Sequence, residues 1–161
     1  MVVGDFGCGG TAAFSRPLAR VVGDDGRVVM FDVQKSVVGA AMSAMRIAGF
    51  QNVRGVWTDL EVYHGAKDIA DASLDGGIMV NLLHESNHHL ELLTEVSRML
   101  KPGAELVIVD WEKGTNHPLA PLTNLRLTPA YTVNVAQQAG LAPVESFSPD
   151  QDHWGIRLKK T

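Results

Sequence analysis

A single cysteine, Cys8, leaves no partner for an intrachain disulfide, so a reducing, cytoplasmic setting is the natural expectation. No run of about 20 apolar residues exists to cross a bilayer, and no basic segment leads into an apolar core with a cleavage site. Neither a membrane association nor an export signal is therefore expected. Basic charge is also scarce: the formal net charge is −4, and the 14 lysines and arginines are scattered rather than striped. Non-specific nucleic-acid binding needs a basic field, so a small molecule is expected as partner ahead of nucleic acid. Repeats, low-complexity tracts and linkers are missing too. The length of 161 residues suits one domain, residues 1–161, able to bury about two thirds of its unfolded surface.

The most informative stretch is Met1 to Gln34, MVVGDFGCGGTAAFSRPLARVVGDDGRVVMFDVQ, which reads as strand, glycine turn, helix, strand. Val2 and Val3 are β-branched and suit a buried first strand, which Asp5 closes. Gly7, Gly9 and Gly10 let the backbone turn sharply and bring its amides close to a ligand. Thr11 is placed to cap a helix running to Val22, in which Pro17 should cause a kink or a restart, and Gly23 to Gly26 make the return turn. Arg27 to Phe31 form a second apolar strand ending in Asp32, 25 positions beyond Gly7. A carboxylate there can accept both hydroxyls of an adenosine ribose, which marks a nucleoside-cofactor unit. Gly7, Gly9 and Ala12 satisfy GxGxxG/A and would suit NAD, but Asp5 beside the turn would repel a pyrophosphate. A sulfonium and an ammonium would be attracted instead.

Asp5, Gly7, Cys8 and Gly9 resemble the DxGxGxG motif of class I S-adenosylmethionine-dependent methyltransferases, with Thr11 standing where the family's last glycine usually does. A second stretch, VSRMLKPGAELVIVD, resembles the family's LKPGG and fifth strand, with Ala104 replacing the second glycine. The resemblance spans nearly the whole chain and is nearest to small-molecule methyltransferases of the quinone-biosynthesis, or type 11, kind. It implies an α/β, Rossmann-like doubly wound sheet of strand order 3-2-1-4-5-7-6 with strand 7 antiparallel. It also implies S-adenosyl-L-methionine as cofactor, held by Asp5, Gly7, Cys8, Gly9, Gly10, Asp32, Val33, Asp59, Leu60, Asn81 and Leu82, with Asp59 facing the adenine amino group. Family members usually carry helices ahead of strand one that cover the acceptor. This chain begins at strand one, which implies either a homodimer whose partner covers the acceptor site or a shortened form. Two other readings stay open, a donor-binding module without turnover and an NAD-binding Rossmann protein.

Farther along, Ser36 is expected to cap a second helix through Val37, Ala41, Met45 and Ala48, ended by Gly49. Val53 to Trp57 should be a third strand and Gly76 to Val80 a fourth, with Asn81 to His84 at the carboxyl end where open α/β sheets bind ligands. Asn87 should cap a helix reaching Leu100, stopped by Lys101, Pro102 and Gly103 ahead of a fifth strand from Glu105 to Trp111. Thr115 to Arg126 should form a loop at the rim of the site. Thr128 and Pro129 should start a helix that Gly140 ends, and Ala142 to Lys160 should give two strands around a Pro149 to Asp152 turn.

His84, Glu85 and His88 spell HExxH, which on a helix would place two imidazoles on one face for zinc. The run before His84 reads as a strand and Ser86 with Asn87 as a helix start, so the two rings are not expected to share a face, and no metal site is expected. The histidines are better read as a polar rim. If the acceptor must lose a proton, His84 is the first candidate base and His117 the second. Cys8 reads as a small filler of the glycine turn.

Overall fold

Val28, Val29, Met30 and Phe31 are buried without a break, as befits a strand with helices on both faces. They belong to β2 (Arg27–Asp32), which pairs with β1 (Val2–Phe6) in a computed structural model describing residues 1–161. The sheet is completed by β3 (Val53–Trp57), β4 (Leu74–Val80), β5 (Leu100–Trp111), β6 (Leu141–Phe147) and β7 (His153–Lys160). Its order is β3-β2-β1-β4-β5-β7-β6, with β7 antiparallel to both neighbours, as the resemblance implied. Every other pairing is parallel, so the carboxyl ends of β1 to β5 open on one edge.

Side-chain alternation sends Val28 and Met30 to one face, against Ala19 of α1 (Ser15–Val22) and Ala41 and Met45 of α2 (Lys35–Ile47). Val29 and Phe31 point to the other face. There they join the larger core with Leu93 and Val96 of α3 (His89–Met99) and Val135 and Ala136 of α4 (Pro129–Gln138). Burying each such leucine or valine contributes about 1.5–3 kcal/mol. Across β1 and β4, Gly4 lies opposite Gly77, and the Phe6 ring covers both. A Cβ on Gly4 would come within 2.7 Å of that ring, and one on Gly77 within 2.6 Å. Phe6 also stacks on Phe31 with centroids 5.0 Å apart, which anchors β1 immediately before the Gly7 turn.

Several boundaries differ from expectation. Helix α1 starts at Ser15 rather than after Thr11, because Ala12 sits at φ +52 and breaks the helical path. Pro17 then falls in the first turn, where amides have no intrahelical acceptor, and neither kinks nor restarts the helix. Ser36 lies inside α2, which follows Gln34 without a side-chain cap. Helix α3 begins at His89 after a single 3-10 turn, Leu83–Glu85, so Asn87 does not cap it. It ends at Met99, since Leu100 is already extended (φ −75, ψ 138) and pairs with Leu74. Strand β5 therefore includes Lys101, Pro102 and Gly103, with a register shift between Leu74 and Gly76 absorbing the irregularity. At α4 the expected cap is present: Thr128 accepts from the Tyr131 amide at 3.3 Å and Pro129 opens the helix. No helix is long and apolar enough to cross a membrane.

Candidate active site

The loops leaving β1, β2, β3 and β4 enclose a cavity of about 480 Å³, within the roughly 300–1,000 Å³ usual for small-molecule sites. Gly7, at φ +79, forms its floor, and its amide and that of Cys8 both donate to the Phe31 carbonyl at 3.0 Å, tying the turn to β2. A Cβ on Gly7 would lie 2.9 Å from Leu82, so the turn and the loop after β4 touch only because the side chain is absent. Beyond β2, Asp32 Oδ1 accepts from the Gln34 amide at 3.0 Å, leaving Oδ2 without a protein donor. Beyond β3, Asp59 Oδ1 accepts from the Glu61 amide at 2.9 Å, and Glu61 Oε1 accepts from the Ser86 hydroxyl at 2.6 Å, joining two walls. Two polar atoms here are buried with no partner, Thr58 Oγ1 and Asn81 Oδ1. Asn81 is moreover in the left-handed region at φ +53, which asparagine tolerates better than most residues.

Of the residues expected to hold a donor, Gly7, Gly9, Gly10, Asp32, Val33, Asp59, Leu60, Asn81 and Leu82 line the cavity. Asp5 and Cys8 do not. Asp5 is 2% exposed behind the turn, where its carboxylate accepts from the Ser15 hydroxyl at the start of α1. Burial pushes its carboxyl up to about 6, against the pull of that hydrogen bond. The Cys8 thiol is pushed up to about 12 by burial and by the nearby Asp5 and Asp32 charges, so it stays protonated and inert. The lining also includes Gln34, Val37, Thr58, Glu61, Glu85, Ser86 and Leu92, which sequence reasoning missed. Glu61 and Ser86 carried a faint signal in their closeness to Asp59 and to the end of β4. In all, Asp32, Asp59, Glu61 and Glu85 give the lining four carboxylates, and no lysine or arginine offsets them.

Two further groups of side chains occupy the same edge over β4, β5 and β7, one around Asp110 and one around Trp111. His84, in the 3-10 turn, places Nδ1 2.7 Å from Asp110 Oδ1, and its amide donates to Asp110 Oδ2 at 3.0 Å. Asp110 Oδ1 also accepts from the Trp111 amide at 2.8 Å, and the whole residue is buried. Nothing in the sequence singled out Asp110. His153 bonds Asp150 through Nδ1 at 2.9 Å and approaches the Asn81 side-chain nitrogen through Nε2 at 3.3 Å. Its ring lies 4.2 Å from that of Trp111, and the His117 ring lies 5.2 Å from Trp111 as well. His117 Nδ1 accepts from the Leu119 amide at 3.2 Å. Neither His84 nor His117 lines the cavity itself, and Asn81 is the cavity residue that reaches His153. The HExxH histidines sit on separate elements, His84 in the 3-10 turn and His88 just ahead of α3, where His89 instead bonds the Tyr131 hydroxyl at 2.9 Å.

Comparison with known proteins gives a consistent result. The family described as "Methyltransferase domain" matches residues 3–103. Among curated proteins, the ubiquinone/menaquinone biosynthesis C-methyltransferase UbiE of Haemophilus ducreyi is 27% identical over 133 residues, covering 82% of this chain and 48% of that protein. The UbiE of Stutzerimonas stutzeri is 29% identical over 109 residues, covering 67% of this chain and 41% of that protein. The chain thus spans about half the length of the curated relatives it matches. Among solved structures, a SAM dependent methyltransferase from Aquifex aeolicus superposes with a TM-score of 0.90 at 24% identity, over 100% of this chain and 82% of that one.

Proposed function

Because the chain belongs to the methyltransferase domain family, with the class I S-adenosylmethionine-dependent fold, we propose that its cavity binds S-adenosyl-L-methionine and that a small molecule accepts the methyl group. The observation that carries this reading is the charge of the lining. Four carboxylates without a cationic side chain favour a ligand bearing a sulfonium and an ammonium, and disfavour one bearing a pyrophosphate. The orphaned atoms fit as well, since Thr58 Oγ1 and Asn81 Oδ1 lack partners that a polar nucleoside could supply.

In this reading Asp32 accepts the ribose hydroxyls through its free Oδ2, Asp59 and Leu60 border the adenine, and the Gly7 to Gly10 turn follows the amino-acid portion. Asp5 acts one layer behind, bracing the turn against α1 through Ser15. When bound, the cofactor supplies a methyl group already activated by positive sulfur. The protein's share is then mainly to hold donor and acceptor at attack distance, which contributes about 7–11 kcal/mol in well-oriented systems. His84 is the first candidate to take a proton from the acceptor, because Asp110 orients it, and His117 is the second.

Calorimetric titration with S-adenosylhomocysteine and with NAD side by side tests the reading. The thioether is expected to bind and the dinucleotide not; the reverse result overturns the proposal. Methyl transfer from labelled donor into a metabolite extract, with products identified by mass, then separates an enzyme from a donor-binding module.

A further inference from the structure

His153 opens β7 opposite Trp111 of β5, with the two rings 4.2 Å apart. Its Nδ1 lies 2.9 and 3.0 Å from the two oxygens of Asp150. Asp150 Oδ1 also accepts from the main-chain amides of Asp152 and His153, at 2.7 and 2.9 Å. A carboxylate that gathers hydrogen donors in this way stays ionised, and the bond to His153 holds its carboxyl below the ordinary value. Nδ1 therefore carries the ring hydrogen, and in the neutral imidazole Nε2 keeps the lone pair. That lone pair faces Asn81 Nδ2 at 3.3 Å. The contact is satisfied only with the amide turned nitrogen-first toward His153, and the other end, Oδ1, is the atom buried without a partner. The Asn81 backbone is held separately, at φ +53 and with its amide donating to the Val109 carbonyl at 2.9 Å. Which end of the side chain faces which way is thus left to His153.

We propose that Asp150 and His153 are positioning residues that orient the Asn81 amide in the wall of the cavity, and that affinity for the methyl donor consequently follows the protonation of His153. The proposal rests on the S-adenosylmethionine reading above. Asn81 lines the cavity, and its neighbour Leu82 lies against Gly7, whose turn follows the amino-acid portion in that reading. With His153 neutral, Asn81 keeps an acceptor for a cationic ligand. A second proton on the ring puts a hydrogen on Nε2, so that two hydrogen donors oppose each other at the 3.3 Å contact. The amide then turns over: Oδ1 accepts from Nε2, and Nδ2 takes the place that Oδ1 held. A wall that suited an ammonium now repels it, and the ligand binds less well in acid. Reciprocally, bound ligand makes His153 harder to protonate. The titratable groups on the elements around His153 are Asp150 and Asp152 in the turn, Asp110 and Glu112 flanking Trp111, His84 and Glu85 after β4, and His117, whose ring meets Trp111. Asp110 is engaged by His84 and Asp152 by Thr115, and Asp150 is the carboxylate bonded to the His153 ring.

Calorimetric titration of the full chain with S-adenosylhomocysteine, which keeps the ammonium, tests this between about pH 8 and about pH 5, the interval in which imidazoles change charge. Affinity should fall about tenfold more in the wild type than in His153→Gln, whose amide offers Asn81 an acceptor at every pH. Asp5, raised to about 6, titrates in the same interval, but it and the cavity carboxylates are common to both chains and cancel in the ratio. Long-range proton–nitrogen correlation spectra of the wild type, with His153 assigned through its backbone, give a second reading that needs no variant to fold. They should show hydrogen on Nδ1 in the neutral ring, and the pH at which His153 takes up its second proton should drop by about one unit when S-adenosylhomocysteine is bound. Hydrogen on Nε2, a His153 titration unmoved by the ligand, or the same pH dependence of affinity in wild type and His153→Gln would each overturn the proposal and leave the donor site standing. Failure of the wild type to bind S-adenosylhomocysteine at any pH would instead overturn the donor reading, and this proposal with it.

Discussion

Replacing Asp5 by Asn should change how stability responds to pH more than it changes the site. Asp5 is buried behind the glycine turn, and its carboxyl is raised from the ordinary 3.8 to about 6 by burial. A carboxyl raised in the folded state favours folding fully while it is protonated, below pH 3.8, and that contribution is lost as pH climbs through about 6. At about 1.4 kcal/mol for each tenfold difference in proton affinity, the interval from 3.8 to about 6 comes to about 3 kcal/mol. That is a large part of the roughly 5–15 kcal/mol that holds a typical domain folded. Asparagine keeps the shape and cannot ionise. The unfolding free energy of Asp5→Asn minus that of wild type, from urea titrations, should therefore rise by about 2–3 kcal/mol between pH 4 and pH 7. Asp71, Asp75 and Asp150, which their hydrogen-bonding partners hold below the ordinary value, push stability the other way in acid. They are common to both proteins and cancel in the difference. Affinity for S-adenosylhomocysteine should change little, because Asp5 does not line the cavity. A stability difference that stays flat across this window would refute the reasoning.

Three further outcomes are expected. Asp32→Ala should weaken S-adenosylhomocysteine at least tenfold, since each charge-assisted bond to a ribose hydroxyl contributes about 1.5–3 kcal/mol; unchanged affinity by calorimetry in a folded variant would refute that role. Arg98→Met should cost about 3 kcal/mol in urea unfolding, because Arg98 and Glu95 are almost wholly buried and removing the guanidinium leaves the Glu95 charge without its counter-ion, held only by the amides of His64 and Ala66. Gly77→Ala should cost about 1–3 kcal/mol by overpacking against Phe6, and a melting temperature equal to wild type would show that the ring can yield.

The sheet was legible in the sequence because its strands are short apolar runs bounded by glycine and by acidic side chains, and Asp32 and Asp59 announce the ends of β2 and β3. Helix starts were less so. Thr11 has the chemistry of a cap, but Ala12 adopts a left-handed conformation that no single residue type foretells, and the helix waits for Ser15. Asp5 was readable as acidic and near the turn, yet its depth depends on the path of Ser15, ten positions away. Asp110 was the larger omission. In ELVIVDW it looks like the polar end of an apolar strand, and only the parallel pairing of β4 with β5 brings it against His84, 26 positions earlier.

The slot over Gly4 and Gly77 ties three positions into one inherited unit. Since the Phe6 ring occupies the space where two methyl groups would stand, the cost of alanine at either glycine depends on what stands at position 6. Shrinking it first uncovers a hole beside Phe31, at the root of the loop that lines the cavity. Divergence at this spot is thereby coupled: the order in which substitutions arrive, and not merely which ones, sets how much stability an intermediate chain loses.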